Sequence, residues 1–222
     1  LYKKIDAVLA YMLFFCLVIE FAFLGKLYLN KESNLSEIYI FYTTAVISII
    51  PILIIFLICV LKKQGFATIG FSKTNALKSF KLGIILSIII LALQGIGIYY
   101  TEASLQTNIS DILFRIIYYL IFISLMEELV FRGYIGTRLY GYYKNKNISI
   151  VIVGIMCSIE HIPFKIIIAQ ANLIEYVLIN FTNLIFYIIL HIGFQYLYSR
   201  YNSIIAPLLV HFIWNFSKWL IV

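Results

Sequence analysis

Glu127 and Glu128 stand side by side within a long apolar run, and Arg132 follows Glu128 four positions later. Carboxylates in such a run repel one another and are poorly solvated, so each needs a partner or a task. Adjacent helical positions point about 100° apart, which sends the two side chains to different faces. Glu128 and Arg132 have the favourable i,i+4 order, acid before base, and are expected to form a structural pair. Glu127 then faces elsewhere without a local partner and is the candidate general base. His211 and Asn215 are also four apart and share a helix face. An imidazole can accept or donate a proton and an amide can only hydrogen-bond; together they could stabilise a developing oxyanion. A third run carries Glu160-His161 near its end, where the acid either orients the histidine or lies near the external surface. Three helices that bring such groups to a similar depth make what a buried water-using site requires. Glu20 and His191 are single polar groups in other runs and are expected to serve helix packing, outside that site.

The elements that must position these groups follow from composition. Of the 222 residues 63% are apolar and 12% charged, against roughly 25% charged in soluble domains. Mean hydropathy is +1.00. These values exclude a soluble enzyme, a disordered chain and a collagen-like repeat, and the lack of alternation argues against a β-barrel. The fold class expected is all-α: a polytopic transmembrane helical bundle, with 1–222 as a single integral-membrane domain. Apolar runs are read at Ala7–Leu29, Ile38–Leu61, Leu82–Tyr100, Ile112–Tyr140, Ile148–Pro163, Tyr176–Tyr198 and Ile204–Val222, about seven spans of a length able to cross a bilayer. A polar bend, Asn30–Asn34, separates the first two, and Phe164–Glu175 is mixed and is read as a short helix or an irregular connection. No cleavable signal peptide is expected, because the first run is too long and lacks a small-residue cleavage site.

The net charge is +7, but the basic residues are spread over short loops, so no nucleic-acid partner is expected. Lys3 and Lys4 precede the first run, and five lysines lie between Lys62 and Lys81. Arg138, Lys144 and Lys146 follow the fourth run, and Arg200 follows the sixth. The intervening loops are poorer in base. Alternation of this kind places the N-terminus inside and the C-terminus outside, with 101–111 external. Cys16, Cys59 and Cys157 lie in apolar runs without paired spacing and read as packing residues.

Glu127-Glu128-x-x-x-Arg132, then His161 on the next helix, then His211-x-x-x-Asn215 on a later one, resembles the CPBP family. These are intramembrane proteases related to the Rce1-type CAAX-prenyl protease and to bacteriocin-processing and immunity proteins. The family pattern is EExxxR, then FxxxH, then HxxxN or HxxxD. The similarity covers about 113–216, the expected catalytic core, and the linker Ile69-Gly70-Phe71 before a span is also family-like. One position departs: Cys157 stands where the family has an aromatic, which keeps the proton chemistry of His161 and removes the aromatic beside it.

The resemblance implies endopeptidase action on a membrane-associated or secreted peptide or protein precursor. Glu127 and His161 would activate water, His211 and Asn215 would hold the tetrahedral oxyanion, and Glu128 with Arg132 would be structural. Zinc is possible, with Glu127, His161 and His211 as a His2Glu set. No HExxH helix is present, and a buried carboxylate can act as base unaided, so a mechanism without cofactor is preferred. The alternative function is a non-catalytic membrane partner, such as a sensor-kinase regulator or bacteriocin immunity protein. A transporter is disfavoured by the lack of a repeated half. The Ile, Asn, Lys and Tyr richness suggests an AT-rich bacterial genome and hence the plasma membrane of a bacterium.

Overall fold

The computed structural model describes residues 4–29, 37–101 and 103–221. The predicted bend at Asn30–Asn34, together with Lys3 and Glu102, lies outside the described residues. The chain is all-helical: α1 (Lys4–Leu29), α2 (Glu37–Leu61), a 3-10 turn (Phe66–Ile69), α3 (Ala76–Thr101), α4 (Ile109–Tyr143), α5 (Lys146–Ala169), α6 (Leu173–Ile179), α7 (Phe181–Tyr201) and α8 (Ile205–Leu220). Six of these, α1 to α5 and α7, are long and apolar enough to cross a membrane. α8 has 16 residues, a turn short of the roughly 20 that a span uses. It lies along α3.

α4 is the centre of the bundle. From Met126 to Gly136 every residue is buried, as expected of a helix surrounded by others rather than facing lipid on one side. Within it, Tyr118–Leu125 and Glu128–Gly136 are π-helical, a widened form that often marks functional segments. Around α4, α1 packs on α5, α5 on α7, and α3 on α8. The outward faces are greasy: Phe15, Ile19, Val46, Leu57, Ile88 and Leu93 are all exposed, which is tolerable only in contact with lipid.

Several boundaries differ from the sequence reading. The fifth span does not stop at Pro163 but continues to Ala169. Proline lacks one donor and crowds the preceding turn, a defect that membrane helices absorb, as α2 does at Pro51. Gln170, in the left-handed region at φ 50°, ends α5 and its backbone N–H returns to Ile166 and Ile167. The sixth span begins at Phe181, because Asn172 caps a separate short helix, α6, through the Glu175 backbone N–H. Arg138, counted from sequence as a loop charge, is fully buried. It donates to the carbonyls of Thr68 and Gly133 and, at 2.6 Å, to Gln64 Oε1, so it locks the α2–α3 linker onto α4.

The loops sort to two ends. Lys62 pairs with Asp6 at 2.5 Å, Asn202 Nδ2 reaches Ala67 O, and the Ile204 N–H donates to Gly70 O. The start of α1, the basic linker and the α7–α8 turn therefore share one end. At the other, the Gln106 N–H donates to Leu220 O, and Arg115 lies over the Trp219 ring. The alternation of loops inferred from charge is present in the fold.

Candidate active site

The turn of α4 that carries the two acids presents them as the 100° argument requires. Glu128 points into the protein and is completely buried. Arg132 Nη1 stands 3.3 Å from its Oε1, one turn further along. Glu127, also buried, points the other way, into a cavity of about 510 Å3 between α1, α2, α4, α5, α7 and α8. His161 from α5 and His211 from α8 meet it there. His161 Nε2 is 3.9 Å from Glu127 Oε1, and His211 Nε2 is 3.8 Å from Oε2. Asn215, one turn beyond His211, lines the same cavity. The structure thus brings together Glu127, His161, His211 and Asn215, with Glu128 and Arg132 directly behind.

The hydrogen bonds fix how the rings face. His161 Nδ1 lies 2.9 Å from the Cys157 carbonyl; a carbonyl only accepts, so Nδ1 carries the hydrogen. His211 Nδ1 lies 2.8 Å from Glu128 Oε1 and donates to that carboxylate. Each ring is therefore anchored at Nδ1 and turns Nε2 toward Glu127. Arg132 Nη2 donates to His191 Nδ1 at 2.5 Å, and its guanidinium lies over the Phe194 ring. An unbroken polar chain runs from His191 through Arg132 and Glu128 to His211.

Two features were not legible in the sequence. His191, expected outside the site, lines the cavity wall and lies between the other histidines, with ring centroids at 6.2 Å from His161 and 6.3 Å from His211. The aromatic surroundings of His161, expected to be lost with Cys157, come from other helices. Phe21 of α1 lies 5.3 Å away and Tyr187 of α7 stacks on the ring at 5.9 Å. Cys157 contributes its backbone carbonyl, which any residue type supplies. Glu160 is fully buried, and its oxygens make no hydrogen bond among the described residues. It lies within electrostatic range of Glu127 and Glu20 and does not orient His161 through a hydrogen bond.

The donor types of Glu127, His161 and His211 suit zinc, and Nδ1 anchoring is what ligating histidines show. Among the described residues, however, no group of three such side chains is drawn together closely enough to hold an ion.

Fold and site together define an integral membrane protein with a buried acid and two histidines lining one cavity. Residues 109–217 match the family model described as type II CAAX prenyl endopeptidase Rce1-like, close to the 113–216 read from motifs. This part of the chain is similar to a family of membrane proteases, consistent with the CPBP grouping. No curated protein and no solved structure matches the chain.

Proposed function

We propose that the protein is an intramembrane endopeptidase in which Glu127, assisted by His161, activates water, while His211 and Asn215 hold the oxyanion. The observation that carries this reading is the approach of two anchored imidazole Nε2 atoms to the two oxygens of one buried carboxylate, at 3.9 and 3.8 Å. Such gaps are too long for direct hydrogen bonds and are the span that a bridging water covers.

In the proposed reaction, water gives a proton to Glu127 while its oxygen adds to the scissile carbonyl, oriented by the lone pair of His161 Nε2. The carbonyl oxygen becomes an oxyanion and accepts hydrogen bonds from Asn215 and His211. For Nε2 of His211 to donate, the ring carries both protons, one of them held by Glu128. Glu127 then passes its proton to the departing amine as the C–N bond breaks, leaving a carboxylic acid and an amine. These transfers need only protein groups, and we propose that no metal takes part; Glu127, His161 and His211 would be the ligands of any zinc.

Arg115, Lys165 and Lys218 line the outer part of the cavity, and no ion pair to any of them occurs among the described residues. That mouth suits a substrate segment bearing carboxylates. The substrate we propose is a membrane-associated or secreted peptide precursor of a bacterial host, where a prenylated CAAX protein is not expected. The test is comparative peptidomics of cells carrying wild-type protein or Glu127→Gln, at equal membrane protein level. A precursor that accumulates only in the variant supports the reading. Full biological function of Glu127→Gln overturns it and leaves the binding-partner alternative.

A further inference from the structure

A second cavity, of about 230 Å3, lies between the ends of α4, α5 and α7, on the side of the basic linker. It shares no lining residue with the catalytic cavity. Its volume is below the roughly 300 Å3 at which drug-sized ligand pockets begin. Lys146, Ser149 and Ile150 of α5 face Thr137 of α4 and Gln195 and Ser199 of α7 across it.

Most polar groups of this wall are already engaged. Thr137 Oγ1 donates to backbone carbonyls of α4, Ser149 Oγ donates to Asn145 O, and Ser199 Oγ donates to Tyr196 O. Two groups are not. Gln195 is 6% exposed and makes no hydrogen bond among the described residues; its Oε1 is buried without a partner. Its amide lies flat on Gly136: a Cβ there would meet Oε1 at 2.7 Å and Nε2 at 3.0 Å. The glycine therefore makes a cradle that holds an otherwise costly buried amide in the cavity wall. The second group is the Lys146 ammonium, which lies 5.9 Å from the centre of the Tyr196 ring and forms no ion pair among the described residues. The sequence holds no Asp or Glu from 129 to 159 or after Glu175.

Position supplies the rest of the argument. The cavity lies at the helix ends and is lined by Tyr140 and Tyr198; Tyr142, Tyr143, Lys144, Arg200 and Tyr201 stand at the same ends of α4 and α7. Tyrosines and basic residues gather at the level of the lipid headgroups, and basic pockets between spans at that depth take anionic headgroups. We propose that this cavity binds the phosphate of an anionic phospholipid, with Lys146 as counter-ion and the Gln195 amide as hydrogen-bond donor.

The chemistry recognised is a phosphate, and the experiment separates a lipid from a free ion. The full-length protein is delipidated in mild detergent and titrated with phosphatidylglycerol or phosphatidylcholine under native mass spectrometry. Wild-type protein should retain phosphatidylglycerol in preference to phosphatidylcholine. Lys146→Gln should cut that preference about fivefold, the effect of one basic residue near a membrane surface. Gln195→Leu should weaken it with Lys146 intact. Lys81→Gln, an equal charge change near the start of α3, should leave it unchanged. Lys146 is exposed, so its variant tests the site even if Gln195→Leu does not fold. Equal binding of the two lipids, or equal losses in Lys146→Gln and Lys81→Gln, overturns the proposal. Displacement of the lipid by millimolar inorganic phosphate overturns its lipid form. None of these readouts depends on proteolysis.

Discussion

His211 is the residue on which the site turns, because it touches both acids: Glu128 at 2.8 Å through Nδ1 and Glu127 at 3.8 Å through Nε2. Asn215→Ala should leave measurable cleavage, since loss of one oxyanion donor typically costs about 10²–10³ in rate. His211→Ala should be at least as severe, and the double variant less than additive if the two hold one oxygen. Rates of cleavage of the accumulated precursor in membranes, per folded protein, check this. Arg132→Ala leaves Glu128 buried without its cation and should cost about 3–5 kcal/mol of stability, read as loss of folded yield and of thermal stability. His191→Ala removes an acceptor from the same guanidinium and should destabilise by about 1–3 kcal/mol while the folded fraction keeps most activity. Strong chelator should leave activity intact; loss restored by zinc would show that Glu127, His161 and His211 act as ligands. What could be read in advance here was residue type and spacing: the opposed faces of Glu127 and Glu128, and the shared face of His211 and Asn215. The place of His191 could not, because a lone histidine in a span has the same spacing whichever neighbour it meets. Nor could the rings beside His161, since Phe21 and Tyr187 stand on helices remote from it in sequence.

At the scale of elements, α4 is positioned by close backbone contact rather than by side-chain bulk. A Cβ on Gly133 would come within 2.6 Å of the Ile69 carbonyl oxygen, so the 3-10 turn sits directly on α4. Gly70 has φ 94° and abuts Ile204, a conformation that L side chains rarely adopt. Gly133→Ala must displace backbone and should cost about 1–3 kcal/mol, as overpacking does. Gly95→Ala, which meets nothing within 4 Å, should be neutral or stabilising by up to about 1 kcal/mol, the difference in helix propensity. Thermal unfolding in detergent distinguishes them; equal effects would mean that the turn does not clamp α4. The existence and order of the helices were legible because hydropathy alone separates them. Their ends were not. Apolar character persists across Pro163, and α6 differs from a loop only through the Asn172 cap. The π-helical stretches of α4 were also hidden, since their residues are those of any apolar helix.

For the whole molecule, the two ends of the bundle differ in charge, and this sets the last expectation. Lys62, Lys63, Lys73, Lys144, Lys146 and Arg200 gather at one end. Arg138 drops out of the count because it is buried, yet the excess survives its removal. Lysine and arginine in short loops stay on the cytoplasmic side, so we propose that this end faces the cytoplasm and that the cavity holding Glu127 opens away from it, between Arg115, Lys165 and Lys218. A protease so oriented would meet precursors that have crossed or are leaving the membrane, in keeping with a secreted peptide substrate. Single cysteines in a background cleared of Cys16, Cys59 and Cys157 provide the measurement. Gln106→Cys and Asp111→Cys should react with an impermeant maleimide added to intact cells. Lys146→Cys and Asn202→Cys should react only after the membrane is opened. If the pattern is reversed, the cavity faces the cytoplasm, and the substrate must be sought among proteins that reach the inner leaflet from within. The pairing of Gln106 with Leu220 across that end makes the assay self-consistent. Trp219→Cys, beside Leu220, must label from the same side as Gln106→Cys, and disagreement between the two would mean that α8 does not complete the bundle as a seventh span.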